Sequence, residues 1–217
     1  MKRIDSIPVR VTLVAVLCLL AAAAAQARPV FTSLPTSEVI IEGGALLARG
    51  DLEAAHETPA GFGAETGFDV GFRYRQFWSD GWALSPSFHY QKPGTYTGYD
   101  GALDDNFDVE TSMLRYGVDL VRVFDRYGRG AKLYLSGGVA LIRNRLREEY
   151  ESDSEYYDDG TNSLALSVGV GLRRGDFELS AVYTRNRPST NRFWPGVEDY
   201  NWDTISLRLG FALPTYD

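Results

Sequence analysis

Apolar residues alternate with small or polar ones along residues 163–185, SLALSVGVGLRRGDFELSAVYTR. Leu164, Leu166 and Val168 fall on one face of this stretch, and the positions between them are Ala, Ser or Gly. A period of two predicts a strand, because successive side chains of a strand point to opposite faces. A face in bulk water usually carries Thr, Lys or Glu, whereas this second face is small. The pattern therefore predicts a confined interior on the small-residue side and an apolar environment on the other.

The same alternation predicts eight strands, near 38–48, 62–77, 82–92, 108–124, 131–147, 162–173, 176–187 and 201–213. The connections at 79–81, 125–130 and 174–175 are tight, whereas those at 49–61, 93–107, 148–161 and 188–200 are longer and polar. Tight turns at one end and longer loops at the other are typical of outer-membrane barrels. The predicted fold is all-β: an eight-stranded antiparallel up-and-down transmembrane β-barrel with short periplasmic turns and longer extracellular loops. A soluble, lipocalin-like barrel is the alternative.

Charged residues recur in mid-strand on the Gly-rich faces, which we expect to point inward. An unpaired ion away from water costs several kcal/mol, so acids and bases inside the barrel should pair. Eight strands enclose an interior about wide enough to be filled by side chains. The predicted lumen network consists of Glu65, Asp69, Arg73, Arg115, Asp119, Glu178 and Arg208. Glu42 stays unassigned, because the first strand is apolar on both faces over residues 39–41.

The chain begins with a basic segment and an apolar run that ends in Ala25-Gln26-Ala27. This arrangement predicts a secretory signal peptide. The predicted organisation is a signal peptide over 1–27, a periplasmic segment over 28–37, the barrel over 38–213 and a tail over 214–217. Cys18, the only cysteine, lies in the predicted signal peptide, so the mature chain would carry no disulfide.

The chain has a formal net charge of −7, which argues against nucleic-acid binding. Its acids are concentrated in the second and third long loops, and three arginines adjoin the third. Carboxylates can hold divalent cations and arginines can bind lipid phosphates, although a plain solvated loop is the alternative. The candidate cation or glycolipid contacts are Asp104, Asp105, Arg143, Arg145, Arg147, Asp158 and Asp159. No pattern points to a cofactor or a resident metal.

Aromatic residues near the predicted strand ends are typical of the belts at membrane interfaces. They include Trp78, Trp82 and Phe124 near the turns, and Tyr90, Tyr183 and Trp202 toward the loops. The three arginines of the fifth predicted strand cannot lie in hydrocarbon. We therefore expect the outer end of that strand to project from the membrane.

Candidate catalytic groups are few, since the only histidines are His56 and His89. His89 follows Ser87 by two residues and shares its face of the third predicted strand, and an inward histidine hydrogen-bonded to Tyr or Asp is the alternative to a catalytic pair. A Ser/His hydrolase also needs an acid that orients the histidine, and the sequence identifies none. We therefore predict that the chain is not an enzyme; a lipid-modifying barrel is the alternative, and it would require an acid near His89.

The signal peptide, eight alternating strands, turn and loop lengths and final strand TISLRLGF resemble the small outer-membrane barrels of the OmpA/OmpX/OmpW type over residues 38–213. The resemblance implies the bacterial outer membrane, insertion by the barrel-assembly machinery, and contact with outer-membrane lipid and glycolipid. It implies roles in structure, adhesion or passage of small solutes. We expect a structural or surface-interaction protein with a side-chain-filled lumen. A narrow channel is the alternative, favoured by the many inward Gly and Ser residues.

Overall fold

The computed structural model describes residues 36–53, 63–79, 81–100, 105–124, 130–150, 156–188 and 200–215. They form nine strand segments: β1 (Ser37–Gly50), β2 (Gly67–Ser79), β3 (Trp82–Lys92), β4 (Tyr96–Asp100), β5 (Asp105–Val123), β6 (Lys132–Tyr150), β7 (Tyr156–Arg174), β8 (Phe177–Asn186) and β9 (Trp202–Thr215). Within these ranges no helix has the length and apolar character needed to cross a bilayer.

The sheet is antiparallel throughout and closes on itself. Its order is β3-β2-β1-β9-β8-β7-β6-β5-β4, and β3 also pairs directly with β5. The short β4 pairs only with the outer end of β5. It therefore extends the sheet at the rim and is not a ninth strand of the barrel wall. The predicted eight-stranded antiparallel barrel is confirmed.

The two faces of the wall have the predicted character. On β7, outward-facing Leu164 and Val168 are 71% and 59% exposed, whereas Ala165 and Ser167 between them are buried. In the middle of the other long strands, outward side chains are likewise mostly apolar and exposed, and most inward ones are small, polar or charged. A register slip of one residue would reverse these faces, so the pattern specifies the register strongly.

Three strands are longer than predicted, because β5, β6 and β7 each contain 19 residues. The predicted loop at 148–161 is wrong in large part: β6 continues to Tyr150 and β7 begins at Tyr156. The backbone register places Arg147 of β6 opposite Asp158 of β7. Positions of opposite charge across a strand pair favour that pairing.

Pro86 interrupts one ladder of β3 but not the other. Its pairing with Val118 of β5 is continuous, whereas on the β2 side the ladder skips Tyr74 and Arg75. Proline has no N–H to donate, which accounts for this local gap in a wall without a free edge.

Most of the predicted belt residues face outward, including Trp78, Trp82 and Phe124 near the turns. Trp202 is an exception, because it is fully buried and packs in the barrel interior with Leu46 and Tyr200. The physical reason is strand parity: the outward positions of β9 are odd-numbered, so an even-numbered residue points inward.

We predict that Val168→Arg destabilises the folded barrel in lipid vesicles by about 2–4 kcal/mol, because it places a charge on the outward face at mid-strand. The matched change Asn162→Arg, farther along the same face, should cost about 0–1 kcal/mol. Urea unfolding in vesicles measures both values. Equal costs would contradict a lipid-facing wall at Val168.

Candidate functional site

The barrel interior consists of three layers. A small apolar cluster lies toward the turn end, and a larger one lies toward the loop end, where it includes Leu46, Met113, Ile142 and Trp202. Between the two clusters, charged side chains from most of the strands are buried against one another. This charged middle layer is the candidate functional site.

Glu178 of β8 is the main acceptor of one half of the layer. Arg73 contacts its carboxylate, Arg75 binds it at 3.0 Å, and the Tyr134 hydroxyl donates to it at 2.6 Å. Both guanidinium groups also lie over the Tyr134 ring, with the Arg75 Cζ atom 5.1 Å from the ring centroid. Glu38 completes this half, since it accepts from Arg75 at 2.8 Å and pairs with Arg173. Each carboxylate here therefore has at least two cationic partners.

The second half of the layer is centred on Asp69 and Glu42. Arg208 lies 2.8 Å from Asp69 and 3.4 Å from Glu42. His89 lies between the two acids, with Nδ1 2.8 Å from Asp69 and Nε2 3.0 Å from Glu42. Arg73 joins the two halves, because its Nη2 also lies 2.8 Å from Glu42. The layer is therefore one connected network.

A smaller group lies beside this network on the wall formed by β3, β5 and β7. Arg115 donates to the Ser87 hydroxyl at 2.8 Å and to Ser167 at 3.0 Å. It also contacts Asp119 at 3.4 Å, and Ser167 donates to the same carboxylate at 2.8 Å. Asp119 is the one carboxylate among the described hydrogen-bond partners of Arg115. Ser87 and Ser167 accept its other hydrogen bonds.

Carboxylates and guanidinium groups occur in equal number among the described side chains of the layer, apart from His89. The five acids are Glu38, Glu42, Asp69, Asp119 and Glu178, and the five arginines are Arg73, Arg75, Arg115, Arg173 and Arg208. Each of them makes an ion pair inside the set. A balanced set avoids the several kcal/mol that an uncompensated buried ion costs.

Inward glycines lie beneath large side chains of this layer. A Cβ atom on Gly171 would stand 2.3 Å from the Tyr134 ring, and one on Gly71 would stand 2.7 Å from His89 Nδ1. The glycine positions therefore make space for neighbouring residues.

Six predicted lumen residues point into the barrel and make contacts there: Asp69, Arg73, Arg115, Asp119, Glu178 and Arg208. The prediction for Glu65 is wrong, because this exposed residue precedes β2 and Ala64 is buried instead. The predicted lumen network does not include Glu38, Arg75, Tyr134 and Arg173, and it leaves Glu42 unassigned. The sequence allows two interpretations of His89, and the structure has the inward histidine, with Nδ1 2.8 Å from Asp69. The shared even parity of Glu38 and Glu42 was the available signal.

The Ser87/His89 pair is not arranged as a hydrolase dyad. The acid that this hypothesis requires is present, since Asp69 lies 2.8 Å from His89. However, both ring nitrogens of His89 face carboxylates, and the Ser87 hydroxyl accepts from Arg115. His89 is also fully buried. His56 lies outside the described residues.

The candidate surface contacts are distributed along the outer rim. Arg143 and Arg145 are exposed on the outward face of β6, and Arg147 lies 2.9 Å from Glu149. Asp105 begins β5, Asp158 and Asp159 lie in β7, and Asp104 is outside the described residues. Among the described side chains, no group of three His, Cys, Asp or Glu residues is arranged to hold a metal ion.

Residues 12–212 match the outer membrane protein beta-barrel domain. The chain belongs to this family, and it is an integral protein of the bacterial outer membrane. No curated protein matches the sequence at a significant level.

Several solved structures are similar to this chain, and the likeness of fold rests on the first of them. Neisserial surface protein A is 16% identical, with 83% of this chain and 97% of that chain covered and a TM-score of 0.56. Ail, the attachment invasion locus protein of Yersinia pestis, is 16% identical over 83% of this chain and 100% of that one, with a TM-score of 0.49. OprG from Pseudomonas aeruginosa is 14% identical over 83% and 98%, with a TM-score of 0.45. At these identities the likeness concerns the fold alone.

We predict that Glu178→Gln lowers the free energy of unfolding by about 3–5 kcal/mol, because it removes a charge that compensates two buried arginines. The matched control is Glu53→Gln, which breaks the exposed pair of Glu53 with Arg49 and should cost at most about 1 kcal/mol. Denaturant unfolding of both variants in the same vesicles gives the comparison. Similar losses would show that the interior pairs contribute no more than a surface pair.

Proposed function

We propose that this protein is a non-catalytic outer-membrane barrel whose lumen is closed by its own side chains. It acts in outer-membrane structure or in surface interaction through its extracellular ends. The observation that carries the proposal is the balanced network of buried ion pairs that connects strands from all round the wall. A network of this kind supports a rigid, filled interior.

The apolar cluster at the loop end also supports a closed lumen. Leu46, Met113, Ile142 and Trp202 are at most 1% exposed there. An ion crossing the lumen would have to pass this layer before it reached the charged groups. Hydrophobic constrictions oppose ion passage because water leaves them readily.

The inward Gly and Ser residues were the sequence argument for a narrow channel. Their surroundings favour the closed lumen instead. His89 and Tyr134 occupy the space beside Gly71 and Gly171, and Ser87 and Ser167 are engaged by Arg115. The buried position of His89 between two carboxylates similarly supports a non-catalytic role.

The outer ends of β5, β6 and β7 support a role at the cell surface. Strand β6 pairs with β7 as far as Glu149 and Tyr156, and β4 widens this sheet on the β5 side. On the β6 outward face, apolar residues end at Leu141 and arginines follow, so this part of the sheet lies beyond hydrocarbon. Strands β5, β6 and β7 are also the three longest strands of the described residues, at 19 residues each.

The test is conductance of the refolded protein in planar bilayers at several salt concentrations, with insertion verified by heat-shifted mobility on a gel. We expect inserted protein to give no discrete current steps. Discrete current steps whose size increases with salt concentration would contradict a closed lumen and would support a narrow channel instead.

Variants in the network sharpen this test. Arg73→Ala should lower the melting temperature of the folded barrel, because it leaves Glu42 and Glu178 each short of a partner. Arg115→Ala should do the same to a smaller degree, since its hydrogen-bond partners include the neutral Ser87 and Ser167. Unchanged melting with raised leakage in either variant would contradict a paired plug.

A further inference from the structure

The outward face of the barrel changes character at a defined level near the loop end. Along β6 the apolar residues end at Leu141 and Arg143 follows, and along β8 Tyr183 is followed by Arg185. On β7, which lies between these strands, Leu164 is preceded by Asn162. This level marks the outer boundary of the hydrocarbon, because charged side chains are costly within it.

On β7 the two arginines at this boundary have uncharged cross-strand neighbours, whereas on the β9 side Asp203 contacts Tyr183 and Arg187, the residues two before and two after Arg185. Arg143 stands opposite Leu114 on β5 and Asn162 on β7, and Arg185 stands opposite Leu166 on β7. Both arginines are exposed, and among the described residues neither is recorded in an ion pair. The protein therefore presents two cationic groups on either side of β7, and the β7 residues in register with them, Asn162 and Leu166, carry no charge.

Two arginines farther from the membrane lie close to carboxylates. Arg147 stands opposite Glu110 and Asp158 and lies 2.9 Å from Glu149. Arg187, two residues beyond Arg185, lies 3.7 Å from Asp203. Carboxylates of this chain thus accompany both of these outer arginines.

Directly below the boundary pair the surface is strongly apolar. Leu141, Leu164 and Leu166 are 52%, 71% and 56% exposed, and they occupy adjacent strands. A ligand that contacts both levels must carry anionic oxygens above acyl chains. This combination excludes a soluble phosphate as the natural occupant.

The spacing of the arginines suits a ligand with a wide headgroup. They are separated by two strand intervals, about 10 Å across the sheet, and by four residues along β7, about 13 Å. Arg143 and Arg185 can therefore contact separate anionic groups of one molecule, with Asn162 between them as a neutral hydrogen-bonding residue. A phospholipid has a single phosphate, whereas a glycolipid can carry phosphates on two sugars.

We propose that the outward face formed by Arg143, Asn162, Leu164, Leu166 and Arg185 binds a phosphorylated glycolipid of the outer leaflet. The guanidinium groups bind its phosphates, and the leucines contact its acyl chains. Guanidinium and phosphate form charge-assisted, frequently bidentate hydrogen bonds. The proposal concerns the lipid-facing wall and does not depend on whether the lumen is closed.

The experiment is native mass spectrometry of the refolded protein in detergent, titrated with a purified bisphosphorylated glycolipid of the bacterial outer leaflet. Loss of one charged hydrogen-bonding group costs about tenfold in affinity, so Arg143→Gln/Arg185→Gln should weaken binding by well over tenfold. The matched control is Arg174→Gln, an exposed residue at the turn end of β7, which should leave binding unchanged. Heat-shifted mobility on a gel verifies that each variant is folded.

A second measurement uses the unaltered protein, so its result is independent of variant folding. The same glycolipid after removal of its phosphates, and phosphatidylglycerol as an anionic phospholipid, should each bind at least tenfold more weakly. Equal binding of the dephosphorylated glycolipid would overturn the phosphate contacts. Equal binding of phosphatidylglycerol, or unchanged affinity in the double variant, would overturn the glycolipid site.

Discussion

Pairing of the first strand with the last is the constraint on which the rest of this structure depends. Inside hydrocarbon every backbone N–H and C=O needs a partner, and a sheet meets that requirement only when it has no edge. Here β1 pairs with β9 over its whole length, from Ser37 to Gly50. Closure then fixes which face of each strand is inside, and it brings together side chains that are far apart in sequence. Arg208 and Glu42, for example, are 166 residues apart.

The interior that results differs from that of a soluble domain. Its middle layer is held by ion pairs, and apolar clusters lie only above and below it. Arg73 connects the two halves of the layer, because it contacts Glu178 in one and Glu42 in the other. The ring of Tyr134 makes cation–π contacts with the guanidinium groups of Arg73 and Arg75, and its hydroxyl donates a hydrogen bond to Glu178. Buried ions are stable in this setting since each has several partners, which limits the cost of removing them from water.

Much of this fold could be predicted from alternation, and the exceptions have physical reasons. Strand β7 was readable because apolar and small residues alternate without interruption. The inward face of β1 was not, because Val39, Ile40 and Ile41 are all apolar and only pairing with β2 and β9 decides their direction. Glu65 continued the alternation of β2 although the strand begins at Gly67. Alternation in the sequence can extend beyond the residues that pair in the sheet, and there it no longer indicates which side chains point inward.

The candidate site was predictable only as a set of inward charges. Sequence alone supplied the parity of Asp69, Arg73 and Glu178, but the identity of each partner depends on the shear between strands. The hairpin of β6 and β7 was read as a loop because its residues are acidic and polar. Backbone pairing nevertheless continues to Glu149 and Tyr156, and alternation of apolar residues does not report pairing beyond the hydrocarbon.

The closure of β1 on β9 has a consequence for the order of assembly. Most contacts of the barrel are local hairpins, but this seam joins the two ends of the domain and therefore forms after the last strand is available. Arg208 arrives with that strand, and until then Glu42 and Asp69 lack one of their cations. Before β9 pairs, β1 and β8 each have an unpaired edge, and Glu42 and Asp69 are without their contact to Arg208. Closing the seam, neutralising the interior and sealing the wall against lipid are accordingly a single late step.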